Sequence, residues 1–165
     1  MELVRKAHEF AKVAHEGVYR KWSGEPYVEH PARVAAMLEE LGFPEKVIAA
    51  AYLHDVVEDC GISLAELAEK FSPEVAALVA EVSNPKLPKE PGNRAWRKAM
   101  AAEHLAKSSY EGASLKLADM LDNGRNVVEL APDFAVGYMP EMSKKLVAVA
   151  HGHPELVERA KKLFG

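Results

Sequence analysis

Over the first fifteen positions, Leu3, Ala7, Phe10, Ala11 and Ala14 recur at intervals of three and four and make one apolar face of a helix over Glu2–His15. Gly17 supplies its stop. Residues 17–29 (GVYRKWSGEPYVE) lose the periodicity, gather Gly, Ser and Pro, and predict a loop. A second helix is expected from Pro31, because proline suits a first helical turn, to about Leu41, with Gly42 ending it. From Pro44 to about Asp59 the pattern is apolar nearly all round (Val47, Ile48, Ala49, Ala50, Ala51, Leu53, Val56, Val57), which marks a central, buried helix. Ser63 with Glu66 is a capping-box pattern for a helix to about Phe71, and Pro73 opens the next, through about Val82. Residues 83–93 (SNPKLPKEPGN) carry three prolines and a glycine and form a loop long enough to suspect function. Helices follow at about 93–107 and 110–130, and 133–164 reads as two or three short helices broken at Pro140 and at HGHP, 151–154. Alternation with β-branched residues never persists, so the expected fold is all-α.

The chain has 165 residues, enough for one domain with its own core, and 48% apolar with 28% charged residues is an ordinary globular composition. The formal net charge of −4 argues against a nucleic-acid polymer as partner, which needs many phosphate contacts from a basic surface, while leaving room for a local basic pocket. Cys60 is the only cysteine, so neither an internal disulfide nor a Cys-rich zinc site is available, and a reducing cytoplasm is expected. No apolar run reaches the ~20 residues that span a bilayer, and MELVRKAHEF is amphipathic without a signal-peptide core, so no membrane partner is expected. The pattern leaves open a monomer or a homo-oligomer.

Three polar intrusions change this picture. His54 and Asp55 interrupt the most apolar helix, where an ionised Asp costs several kcal/mol unless paired or bound to metal. With Glu58 and Asp59 they fall at i, i+1, i+4 and i+5, so one wet helix face would also hold all four. An imidazole beside a carboxylate is equally a common metal half-site. His30 sits just before the helix-opening Pro31, a position also open to a solvated or capping histidine. Asp119 interrupts the apolar stretch LKLADMLDNGRNVV (115–128), with Asn123 one turn on, although a lone helical Asp is usually solvated.

Together, RKWSGEPYVEHPARVA (from Arg20), AAYLHDVVEDC (from Ala50) and SLKLADMLDNGRN (from Ser114) present H, then HD, then D in order. Over residues 1–130 this set resembles the HD superfamily of phosphohydrolases. Within it the set is similar to the hydrolase domain of RelA/SpoT-type alarmone enzymes and to the small single-domain alarmone hydrolases. GNRAWRKA is similar to a segment of the small bacterial members. The resemblance implies a single HD-domain helical bundle over 1–165, with a helical C-terminal extension at about 131–165.

It also implies one divalent ion, Mn²⁺, held by His30, His54, Asp55 and Asp119; these ligand types also admit Zn²⁺ or Fe²⁺. Glu58 and Asp59 match the ED pair that orients or deprotonates the attacking water, with Glu58 as general base one turn beyond His54. Arg20 and Lys21 match the basic pair that holds guanine and faces the phosphates, and Asn123 matches the asparagine that reaches the nucleotide. Trp22 is inserted relative to the commoner R-K-S-G, and Asp122 stands where the long enzymes commonly have His, which makes that wall more acidic. Arg94, Arg97 and Lys98 share a helix face after a Pro/Gly loop; they suit either a pyrophosphate clamp or a solvated basic face. Lys116 is open to a structural role. His8, His15, His104, His151 and His153 have no partner motif and are expected at the surface or in packing.

The expected activity is removal of the 3′-pyrophosphate from guanosine tetra- or pentaphosphate (ppGpp, pppGpp), with no room in this length for the synthetase domain of the long enzymes. Two alternatives stay open. One is an HD-type nucleotidase or phosphatase on a deoxynucleotide or NADPH. The other is a non-catalytic nucleotide-sensing HD protein, which a missing ligand or a missing Glu58-Asp59 pair would have signalled.

Overall fold

The computed structural model describes residues 1–165. Ten helices follow one another: α1 (Glu2–Ala14), α2 (Glu29–Glu40), α3 (Glu45–Leu53), α4 (Val56–Cys60), α5 (Leu64–Lys70), α6 (Pro73–Val82), α7 (Arg94–Ala106), α8 (Tyr110–Leu130), α9 (Pro132–Ala148) and α10 (Pro154–Phe164). The only strand-like pairing is one antiparallel bridge, Tyr19 to Pro26. The all-α expectation therefore holds. No helix is long and apolar enough to cross a membrane.

The all-round apolar character of α3 puts it at the centre, packed against α1, α2, α6 and α8. Ala49, Ala50 and Ala51 are fully buried there, and their small side chains let the neighbouring backbones come close. Leu38, Leu53, Leu115, Leu117 and Leu121 fill the surrounding space, each contributing about 1.5–3 kcal/mol by burial. Ser63, Ser72 and Ser109 cap α5, α6 and α8 by accepting from the backbone N–H three residues on. Gly124 lies where a Cβ would meet Phe164 Cζ at 2.6 Å, so its bare backbone is what lets the end of α10 rest on α8.

Three boundaries depart from the sequence expectation. The central helix does not run unbroken to Asp59; it stops at Leu53 and restarts at Val56. The His54 ring explains the stop, because Nδ1 bonds the Ala51 carbonyl at 2.6 Å and satisfies an acceptor that the helix end leaves free. The helix holding Pro31 begins two residues earlier, at Glu29, so His30 rides on its first turn and Pro31 still falls where no backbone N–H is needed. Pro140 does not break α9. Its missing N–H leaves the Val136 carbonyl without a helical donor, at a residue that is 79% exposed, where the loss costs little.

Candidate metal centre

Three segments bring four residues to one point. The first turn of α2 brings His30, the α3–α4 break brings His54 and Asp55, and the middle of α8 brings Asp119. One ligand atom from each lies within 4.8 Å of all the others, so the four can hold a metal ion. His30 Nε2 is 2.9 Å from Asp119 Oδ1, and His54 Nε2 is 3.2 Å from the same oxygen and 3.1 Å from Asp55 Oδ2. His30 is fully buried and Asp119 nearly so. All four residues named from the sequence are thus brought together.

The outer contacts fix both imidazoles. His30 Nδ1 donates to Asp122 Oδ2 at 2.6 Å, and His54 Nδ1 donates to the Ala51 carbonyl. Both Nε2 atoms therefore face the carboxylates. Oxygen acceptors and imidazole nitrogens pointing at one another hold together in two ways: with protons on Nε2, or around a shared cation. Burial opposes charge on His54, but Asp55 and Asp119 outweigh it and raise its pKa well above the ordinary value; Asp119 and Asp122 do the same for His30. Burial likewise opposes the Asp55 carboxylate, yet His54 pulls its pKa down to about 2. Asp119 is held well below the ordinary carboxylate range, against its burial, chiefly by the Lys116 ammonium. A buried set of two carboxylates and two imidazoles with fixed outer hydrogen bonds fits a divalent ion of mixed N/O preference.

Several members of this site carry no local sequence signal. Lys116 Nζ donates to Asp119 Oδ2 at 3.0 Å, so it belongs to the cluster. The Tyr27 hydroxyl donates to Asp55 Oδ2 at 2.8 Å, and its ring stacks on the buried His15. Arg33 donates to both Glu25 and Asp122. Asp122 stands behind the aromatic cavity's wall, 4.0 Å from Arg20 Nη2, with its carboxylate against His30 and held low, against burial, by His30 and Arg33. Only the chain reversal at Gly24 (φ +72°) and the α2–α8 packing bring these partners together.

The ED pair follows on α4. The charge of Glu58 is felt at Lys116, and the exposed carboxylate accepts from the Asn84 backbone N–H at 2.5 Å. Asp59 is exposed beside Tyr27; partial burial and the charges of Asp55 and Glu58 push its pKa up. Neither carboxylate hydrogen-bonds to the four clustered residues.

Two cavities flank the cluster. The smaller, about 260 Å³, has Arg20, Lys21, Trp22 and Asn123 on its wall, with Tyr27, Phe134 and Tyr138 supplying aromatic faces. Arg20 is largely buried, its guanidinium 5.4 Å from the Tyr27 ring centre and donating to Asn123 Oδ1 at 2.8 Å. Asn123 in turn donates to Asp119 Oδ1 at 3.0 Å. The inserted Trp22 packs on Phe134 with ring centres 5.5 Å apart, and the Lys21 ammonium sits 4.6 Å from the Trp22 ring centre. The larger cavity, about 820 Å³, opens between loop 83–93, α7 and α9; Arg94, Arg97 and Lys98 line it together with Lys89, Lys144 and Lys145. Glu141 faces Lys98 and Arg94 there, and Arg97 donates to Asn93 Oδ1. The three basic residues of α7 therefore do share one face. Burial and the neighbouring Lys116 hold the Lys145 pKa below its ordinary value, the mark of a crowded cationic wall.

The remaining histidines act in packing: His104 bonds the Ala80 carbonyl, His151 the Ser108 carbonyl, His153 caps α10, and His8 stacks on Tyr52. Burial raises the pKa of the Cys60 thiol, which disfavours the nucleophilic thiolate.

Comparison with known proteins matches this geometry. The model of the HD domain family fits residues 7–138. The guanosine-3′,5′-bis(diphosphate) 3′-pyrophosphohydrolase of Vibrio cholerae is 38% identical over 139 residues, covering 81% of this chain and 19% of that protein. The protein of the same name from Aquifex aeolicus is 39% identical over 128 residues, covering 74% and 17%. The chain thus spans about a fifth of the length of these curated relatives. A solved structure described as a metazoan ortholog of SpoT that hydrolyzes ppGpp superposes with a TM-score of 0.88 at 29% identity, covering 99% of this chain and 94% of that one. With the ordered H, HD and D residues gathered at one buried point and the family's model matched over most of the sequence, the chain belongs to the HD domain family.

Proposed function

We propose that this chain is a Mn²⁺-dependent hydrolase that removes the 3′-pyrophosphate from guanosine tetra- or pentaphosphate, yielding GDP or GTP and pyrophosphate. The observation that carries the reading is the likeness, over nearly the whole of both chains, to a protein described as hydrolysing ppGpp. His30, His54, Asp55 and Asp119 hold the ion. When bound, it supplies positive charge at the phosphoryl group and makes water acidic enough to attack near neutral pH. The water oxygen bonds the phosphorus next to the ribose 3′ oxygen, the bond between that phosphorus and the 3′ oxygen breaks, and the 3′ oxygen gains a proton.

Glu58 takes the proton of the attacking water, with its carboxylate steadied by the Asn84 N–H, and Asp59 supports it from the Tyr27 side. Lys116 keeps Asp119 ionised. Arg20, Lys21 and Asn123 hold the nucleoside at the aromatic cavity, where Trp22 and Tyr138 offer faces to a purine. Arg94, Arg97 and Lys98 meet phosphate oxygens in the larger cavity. The lone Cys60 suits a cytoplasmic setting.

A hydrolysis panel tests the reading. With Mn²⁺ present, guanosine tetraphosphate is turned over while GTP, dGTP and NADPH are poor substrates. Rapid turnover of dGTP or NADPH with the alarmone untouched assigns the chain to a general nucleotidase instead.

A further inference from the structure

Asp122 has a position that the proposed reaction does not use. Its carboxylate is buried at the α2–α8 contact, 2.6 Å from His30 Nδ1 on one oxygen and 2.7 Å from Arg33 Nε on the other. Arg33 Nη2 adds a second bond to it at 3.2 Å, and the far side of the same guanidinium is gripped by Glu25 at 2.5 and 3.1 Å. His30 and Arg33 thus hold Asp122 from two sides by charge-assisted hydrogen bonds, Glu25 holds the far side of Arg33, and Arg20 Nη2 lies 4.0 Å from Asp122 Oδ2. We propose that Asp122, clamped by Arg33 and Glu25, is a positioning residue that fixes the ring orientation and tautomer of His30 and so sets the affinity of the four-residue centre for its ion.

The argument is one of hydrogen-bond inventory. A neutral imidazole has one N–H, and a carboxylate only accepts. With Asp122 against Nδ1, the proton is held on that nitrogen and the Nε2 lone pair is left for the cluster. Without it, His30 can place its proton on Nε2, where it faces Asp119 at 2.9 Å and competes with any cation. The Arg33 clamp prevents the Asp122 carboxylate from rotating away. Because Glu25 lies on the loop that also carries Arg20 and Tyr27, the clamp ties that loop to the histidine behind the centre.

This inference rests on the reading of His30 as a ligand, and two measurements separate their failures. Mn²⁺ affinity is measured by titration for wild type, Asp122→Ala and Asp122→Asn, and the His30 ring nitrogens are followed by imidazole nitrogen NMR in metal-free protein at a pH high enough that the ring is neutral. The Ala variant is expected to bind Mn²⁺ about 10–100-fold more weakly. The Asn variant keeps an acceptor oxygen without its charge and is expected to lose less than the Ala variant, with a weakened Nδ1–H signal. A folded Ala variant with wild-type affinity overturns the proposal. Should Ala prevent folding, an Asn variant with both wild-type affinity and an unchanged His30 signal overturns it. A wild-type chain that binds no Mn²⁺ refutes the ligand reading, while the nitrogen spectra still decide whether Asp122 sets the His30 tautomer.

Discussion

Arg20 and Asn123, 103 positions apart, meet in one hydrogen bond of 2.8 Å, and Asn123 passes the connection on to Asp119. The aromatic cavity and the metal-competent cluster are therefore joined through the Asn123 carboxamide, beside the second link from the Tyr27 hydroxyl to Asp55. Removing it in Asn123→Ala leaves the buried Arg20 guanidinium without its acceptor and Asp119 without one donor. Loss of a hydrogen bond to a charged group is worth about 1.5–3 kcal/mol, so kcat/KM is expected to fall roughly 10–100-fold. Steady-state kinetics checks this, and Arg20→Ala combined with Asn123→Ala is expected to lose less than the sum of the two single changes.

Asp119→Ala removes a ligand and also strips Lys116 of its partner. Breaking a buried pair from one side costs about 3–5 kcal/mol, so even the metal-free variant is expected to be less stable by denaturant unfolding. Adding Lys116→Met should restore part of that stability but none of the metal binding, which elemental analysis reports.

Glu58 hydrogen-bonds the loop, not the clustered residues, so Glu58→Gln is expected to retain the ion while turnover falls about 10²–10⁴-fold. A metal titration beside a single-turnover rate separates the two effects. Near-normal turnover would move the proton-accepting role to Asp59.

Metal-free and metal-loaded protein should respond to pH in opposite directions. His30 and His54 have folded pKa values raised above about 6.5, so their contribution is fully present below that pH and is lost as pH rises through the folded values. Asp55 and Asp119 are lowered, so theirs is present above about pH 4 and is lost as pH falls through their folded values. The metal-free cluster is thus most stable in mildly acidic solution. A divalent ion needs the Nε2 lone pairs and displaces those protons. The rise in Tm on adding Mn²⁺ is expected to be larger near pH 8 than near pH 6, as measured by calorimetry; an equal rise at both contradicts the shared use of Nε2.

Helical periodicity and end signals were enough for most of the fold, because they are local: the Ser63–Glu66 cap and the Pro73 start appear where the residues place them. The break at His54 was hidden because its cause is the imidazole bonding Ala51, an event invisible to apolar spacing. Pro140 misled for the opposite reason, since an exposed helix turn tolerates a lost bond that a buried one would not. The four clustered residues were legible through the order of H, HD and D. Lys116, three residues before Asp119 on the same helix, was in view as a structural candidate, whereas Tyr27, Arg33 and the role of Asp122 were not. Each owes its place to geometry at the cluster, and the Arg33–Asp122 contact spans 89 positions of sequence with no motif to announce it.

The most direct test of the central claim is phosphorus NMR of guanosine tetraphosphate incubated with the Mn²⁺-loaded protein. The account predicts pyrophosphate and GDP in equal amounts, with neither formed by Asp119→Ala. Release of inorganic phosphate alone, or no turnover by a fully loaded wild-type chain, would contradict it.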